Sequence, residues 1–160
     1  MTGAALAVSG LLHLVRLSRW AGDRTWRERL VLILHIGYAF LPLGFLLNAA
    51  SAFGQVPAGA GVHAWMAGAA GIMTLAVMSR ATLGHTGQKL AASISTQAIY
   101  AAAIIAVFAR LCAVLEPLHS ELLLHLAAVA WAAAFIGFAV SFGPLLIGFE
   151  RRPAKARVAA

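Results

Sequence analysis

Charge is what this chain has least of. Only 11% of its 160 residues are charged, five of them acidic and twelve basic, where a soluble domain carries about a quarter. There is one cysteine, Cys112, so no internal disulfide can form, and a lone thiol says little about redox compartment. Cys112 reads as a buried small apolar residue. No P-loop, no dinucleotide-binding glycine fingerprint, no CxxC and no nucleophile–base pair occurs. Hydrolytic and phosphoryl-transfer chemistry therefore have nothing to stand on, and no catalytic residue is assigned. The N-terminus lacks a basic leader region and a cleavage site, so the first apolar run is expected to be retained.

What the chain does have is apolar length. Hydrophobic residues make up 62% of it, and the mean hydropathy is +0.88. A spanning helix needs ~20 apolar residues, so the sequence has room for about five. The expected fold is an all-α, polytopic transmembrane bundle forming a single domain. Its spans run over about 3–17, 30–50, 62–83, 95–115 and 122–149. Between them lie a basic loop (Ser18 to Arg29), a Gly/Ala/Pro loop (Ser51 to Gly61), a Gly/Thr loop (Gly84 to Leu90) and a short acidic turn (Glu116 to Glu121). The formal charge of +7 does not point to nucleic acid, because the basic residues gather at helix ends rather than along one face. Membrane lipid is the expected surrounding partner.

Lys and Arg are enriched on cytoplasmic loops. With alternate loops on one side, Arg16, Arg19, Arg24, Arg27, Arg29, Arg80, Lys89, Arg151, Arg152, Lys155 and Arg157 fall together, and only Arg110 falls on the other. This split predicts an outside N-terminus and an inside C-terminus.

The topology sorts six histidines by depth. His13, His35 and His85 fall toward the cytoplasmic end, and His63, His119 and His125 toward the outer end. An ionisable side chain in hydrocarbon is costly unless something pairs with it, which makes these histidines functional candidates. His35 and His63 should stand ~20 Å apart along the membrane normal at ~1.5 Å of rise per residue, too far to share one iron.

Each candidate also has a packing explanation. Ala64, Ala67, Gly68 and Gly71 form a small-residue stripe that admits either another helix or the flat face of a macrocycle. His63, Met66, Ala70 and Met73 share a neighbouring face, with Met as ligand or as filler. His85 sits between two glycines, either a ligand or a solvated residue beside a Gly84 helix cap. Arg80, close by, can reach a lipid phosphate or a porphyrin propionate. His35, Tyr38 and Pro42 lie on one helical face. Pro42 frees the Tyr38 carbonyl and is expected to kink the helix, which suits either a ligand pocket or a Tyr–His pair. Glu121 and His125, four residues apart, could be a carboxylate-oriented metal ligand or an ordinary pair at a helix start. His119 reads as solvated.

Several segments carry a family resemblance: RLSRW (Arg16 to Trp20), LHIGYAFLPLG (Leu34 to Gly44), HAWMAGAAGIMTLAVMSRATLGHTG (His63 to Gly87) and WAAAFIGFAVSFGPLL (Trp131 to Leu146). In order and spacing the chain resembles the NnrS family. The resemblance implies a multi-pass haem- and copper-containing protein of the bacterial inner membrane, tied to nitric oxide metabolism, denitrification and protection from nitrosative stress. His35, His63, Arg80 and His85 fall in the family's motifs, and His13 in a looser one. The family's usual chain has about twelve spans and this one covers the C-terminal five. Either it assembles with a second copy or with a partner supplying the missing spans, or it is a remnant that lacks half of a site.

On this reading His35 and His85, with His13 as third candidate, hold haem b, Tyr38 lies beside them, and Arg80 pairs a propionate. His63, with Met66 or His125, is the candidate copper site. Two other classes compete. One is a non-catalytic membrane subunit whose histidines are structural. The other is a transporter half, with Arg80, His85 and the Pro42 kink lining a path, which requires oligomerisation.

Overall fold

A computed structural model describes residues 1–20 and 22–148. Phe149, Arg151, Arg152, Lys155 and Arg157, placed by sequence at and beyond the end of the last span, lie outside the described residues, as does Ala21 of the basic loop. Five helices follow one another: α1 (Thr2–Ser18), α2 (Arg29–Ala52), α3 (Gly59–His85), α4 (Ile94–Leu115) and α5 (Ser120–Leu146). Single 3₁₀ turns, Gly22–Arg24 and Pro117–His119, precede α2 and α5. Among the described residues there is no strand. By length and composition α2, α3, α4 and the Pro117–Leu146 stretch can each cross a membrane, and α1 is a shorter apolar helix.

Backbone chemistry sets the ends. α2 closes on Gly54 (φ +72°), whose neighbour Gln55 donates its amide to the Ala50 carbonyl at 2.9 Å. The end of α3 differs from the sequence reading. The helix runs through Gly84 and includes His85, and the left-handed residue is Gly87 (φ +68°). The Gln88 amide reaches Leu83 at 2.9 Å and the Gly87 amide reaches Gly84 at 3.3 Å. This is the paired bonding of a Schellman cap, with Gly in the one position that needs positive φ. Ser93 opens α4 by accepting the Thr96 amide at 3.2 Å, as N-cap serines do.

The helices run up and down. One end of the bundle gathers the starts of α2 and α4 and the end of α3, where Leu34 meets Arg80 and His85, and Arg29 meets Gln97. The other end gathers the start of α3, the end of α4 and the start of α5. α1 packs along α2, with Gly3 against Ala52 and Phe53, and Gly10 against Phe45 and Leu46. Its other face leaves Leu11, Leu12 and Val15 exposed. The core lies between α2, α3 and α4, where Ile72, Leu75 and Val107 are fully buried with Pro42.

The middle of α3 is wound wide. Ala64–Gly71 is an eight-residue π-helical segment, a rare geometry that redirects side chains. It splits the small-residue stripe between two neighbours. A Cβ on Gly68 would fall inside the Phe40 ring of α2, and one on Gly71 inside the Trp131 indole of α5. The stripe therefore takes the protein's own aromatic rings. The neighbouring face divides likewise: Met73 packs on Gly37 of α2, while His63 and Met66 face a crevice toward α4 and α5. α2 remains helical through Pro42, and the Leu41 carbonyl accepts the Trp65 indole N–H at 3.0 Å.

With little water to solvate them, polar groups inside spanning helices bond back to their own helix. Ser79 Oγ donates to Leu75 at 2.6 Å, and Asn48 Nδ2 to Gly44 at 2.9 Å.

Candidate functional site

The histidines occupy four separate settings. The richest is the seam of α1 and α2. His13, three turns into α1, hydrogen-bonds through Nδ1 to the Tyr38 hydroxyl at 2.8 Å and stacks on Phe45 at 5.2 Å between ring centroids. Trp20, just past the end of α1, covers Tyr38 at 4.4 Å and meets His35 edge-on at 5.7 Å. The Arg16 guanidinium lies 5.8 Å from the Trp20 ring and 6.0 Å from Tyr38, within cation–π range. The partner of Tyr38 is thus His13 on the next helix rather than His35 on its own face.

His35 is held differently. Its Nδ1 lies 3.0 Å from the Val31 carbonyl, one turn back. A carbonyl only accepts, so Nδ1 carries the proton and the neutral ring keeps a lone pair on Nε2. That Nε2 is buried and has no hydrogen-bond partner. The Gly22 turn lies against the ring: a Cβ on Gly22 would stand 3.1 Å from His35 Cδ2. An imidazole whose far nitrogen is anchored to a carbonyl is oriented as metal-ligating histidines are.

At the same end of the bundle, Arg80 and His85 share a second crevice of about 310 Å³ with Leu34, Val77 and Leu90. Both are exposed. This crevice adjoins α2 through Leu34, the residue before His35, and His35 itself does not line it.

At the opposite end a cavity of about 270 Å³ opens between α3, α4 and α5. His63 and Met66 line it from α3, Arg110 from α4, and Leu124 and Trp131 from α5; the rest of the wall is alanine. His125 faces elsewhere, onto a surface hollow with Leu118, His119 and Glu121. Its Nδ1–H donates to the Glu121 backbone carbonyl at 2.8 Å, so the carboxylate does not orient it. Among the described residues no three His, Cys, Asp or Glu side chains converge where they could hold a metal ion. Cys112 is exposed rather than buried.

Three participants were not singled out as site residues from sequence: Trp20 as the cover of His35 and Tyr38, Arg110 as the cation facing His63, and Trp131 as a wall of that crevice. Arg110 carried a signal, being the one basic residue on its side of the membrane split.

The model of the NnrS family, described as NnrS protein, matches residues 1–149. No curated protein and no solved structure matches the chain. The family match spans the α1–α2 histidine seam, both crevices and every helix described above, and on it the chain belongs to the NnrS family.

Proposed function

We propose that this chain is a haem-binding protein of the bacterial inner membrane that serves nitric oxide metabolism or protection from nitrosative stress, with His35 as haem ligand. The observation that carries this reading is the buried, unpartnered Nε2 of His35, presented by a ring whose Nδ1 is fixed on Val31. Leaving such a nitrogen without a partner costs ~1–3 kcal/mol, and a ligand bond would offset it. Bound haem would supply an iron centre able to take a diatomic gas. The chain's own part is to orient His35, to shield it with Trp20, and to hold cations for the propionates. Arg16 is one such cation beside Trp20, and Arg80, which shares a crevice with His85, is a second on the Leu34 side. The His13–Tyr38 bond fastens α1 over this region. The basic loops then face the cytoplasm, and a second copy or partner chain covers part of the exposed α5 surface.

Copper finds less support. Of its sequence-assigned ligands, His63 and Met66 share a crevice and His125 does not. A fixed guanidinium, Arg110, lines the same crevice and repels a metal cation. A second reading, in which the histidines are structural, is favoured at His13 and His125, whose ring nitrogens bond within the protein.

The test is the absorption spectrum of detergent-purified protein, oxidised and dithionite-reduced, with metal analysis of the same sample. The expected result is a Soret band that shifts on reduction, is lost in His35→Ala and is kept in His125→Ala. A colourless, metal-free protein from cells supplied with haem and copper would overturn the proposal in favour of the structural reading.

A further inference from the structure

We propose that the crevice between His63, Arg110 and Trp131 is a binding site for an anionic phospholipid, its phosphate on Arg110 and one acyl chain along the alanine wall. Arg110 is the starting point. It is the single described Lys or Arg that is half-buried; all the others are exposed. It sits five residues before the end of α4, ~7.5 Å from that end along the helix, at the depth where headgroups give way to acyl chains. Among the described residues no carboxylate reaches salt-bridge distance of it and no group accepts a hydrogen bond from it. A cation at that depth is costly until an anion or water meets it.

The surroundings select the kind of anion. The guanidinium offers a planar fork of donors that fits a phosphate bidentately. Across the crevice His63 adds a second nitrogen donor, so the site presents two donors and no acid. Everything else is apolar: Met66, Leu124, Trp131 and alanine. A cavity of about 270 Å³ lies just below the ~300–1,000 Å³ of small-molecule pockets, which suits one chain rather than a fused ring system. The neighbouring surface is that of a lipid-facing belt. Met66 is 66% exposed, Phe108 52% and Val62 47%. A free phosphate would satisfy Arg110 and leave the apolar wall bare, whereas a phospholipid satisfies both.

Native mass spectrometry of the full chain, released from detergent after incubation with phosphatidylglycerol, phosphatidylcholine or inorganic phosphate, tests this. A cation near the membrane surface contributes ~1 kcal/mol to anionic-lipid binding, or about fivefold. Phosphatidylglycerol should therefore be retained about fivefold over phosphatidylcholine. The preference should vanish in Arg110→Gln, survive in Arg110→Lys, and be unchanged in Arg27→Gln, an exposed loop residue. Ala128→Leu, which fills the crevice and leaves the charge, should lower retention of phosphatidylglycerol in a protein that keeps its helical circular dichroism. Equal retention of the two lipids by the native chain, or a preference that persists in Arg110→Gln, would overturn the proposal. Retention of inorganic phosphate at the same level would make this a free-anion site and overturn the lipid assignment.

Discussion

Gly44→Ala gives the sharpest test of how α2 and α3 are joined. A Cβ at this position would fall inside the Trp65 indole, touching Cδ1, Nε1 and Cγ. The indole cannot yield freely, because its N–H is committed to the Leu41 carbonyl at 3.0 Å and its ring packs on Phe45 at 4.8 Å. Forcing a methyl into a packed interface costs ~1–3 kcal/mol, and breaking the indole hydrogen bond adds ~1 kcal/mol. Against these, alanine is the better helix former by ~1 kcal/mol. The net expectation is a loss of about 1–3 kcal/mol.

The sign should change when the obstacle is removed. In a Trp65→Ala background the Gly44 methyl enters space the indole has left, and only the helix-forming gain of up to ~1 kcal/mol remains. The coupling between the two positions is then about 2–4 kcal/mol, well above the ~0.5 kcal/mol scatter of independent sites. Unfolding of the four proteins by SDS in mixed micelles, followed by the fluorescence of the remaining tryptophans, gives the midpoints and slopes needed. If Gly44→Ala costs the same in both backgrounds, the indole is not what Gly44 accommodates, and the account of the α2–α3 joint fails.

Three further perturbations bear on the helix ends, the α1 seam and the topology. Gly87→Ala should lose ~1–2 kcal/mol, because φ is +68° there. Gly84→Ala should be neutral or gain up to ~1 kcal/mol, since Gly84 is helical with no atom nearer its Cβ position than 3.9 Å; the same SDS titration reads both, and the reverse order would restore Gly84 as the cap. Tyr38→Phe and His13→Ala each remove the 2.8 Å bond between the helices and should couple by ~1 kcal/mol in a double-mutant cycle; strict additivity would mean the bond contributes nothing. In a Cys112→Ala background, a cysteine at His119 should react with an impermeant maleimide on intact cells and one at Lys89 only after permeabilisation; the opposite pattern would invert the proposed topology.

Helix number and order were legible because hydropathy is summed over about twenty residues and tolerates local error. The end of α3 was misread at Gly84 because two glycines stand three residues apart, and either could take positive φ; the bonds from Gln88 and Gly87 decide between them. The face of α3 was misread for a different reason. Ala64, Ala67, Gly68 and Gly71 were aligned at 3.6 residues per turn, and the π-helical segment from Ala64 to Gly71 breaks that register. No composition rule announces such a segment. Its glycines meet Phe40 and Trp131, which arrive from other helices. The same limit applied to His35. Its position was visible in the sequence, while the anchoring of Nδ1 and the isolation of Nε2 required the positions of Val31 and the Gly22 turn.

The shortage of acid explains why the two ends of the bundle differ chemically. Five carboxylates cannot pair with twelve cations, so most of the cations must be solvated, and the exposed residues of the Arg24–Arg29 loop are. The end that gathers those loops can use its histidines with aromatic and hydroxyl partners, as His13 does with Tyr38 and Phe45, because its charges are already in water. At the other end one guanidinium is half-buried, and among the described residues no acid lies at salt-bridge distance of it. With no described acid to pair it, an apolar crevice carrying a guanidinium suits an anion with a tail. A metal ion bound there would have to overcome the same uncompensated charge, which is why His63 is less suitable than His35 for a cationic cofactor. His35 instead has its Nδ1 satisfied by the Val31 carbonyl and its ring set against Trp20 and the Gly22 turn.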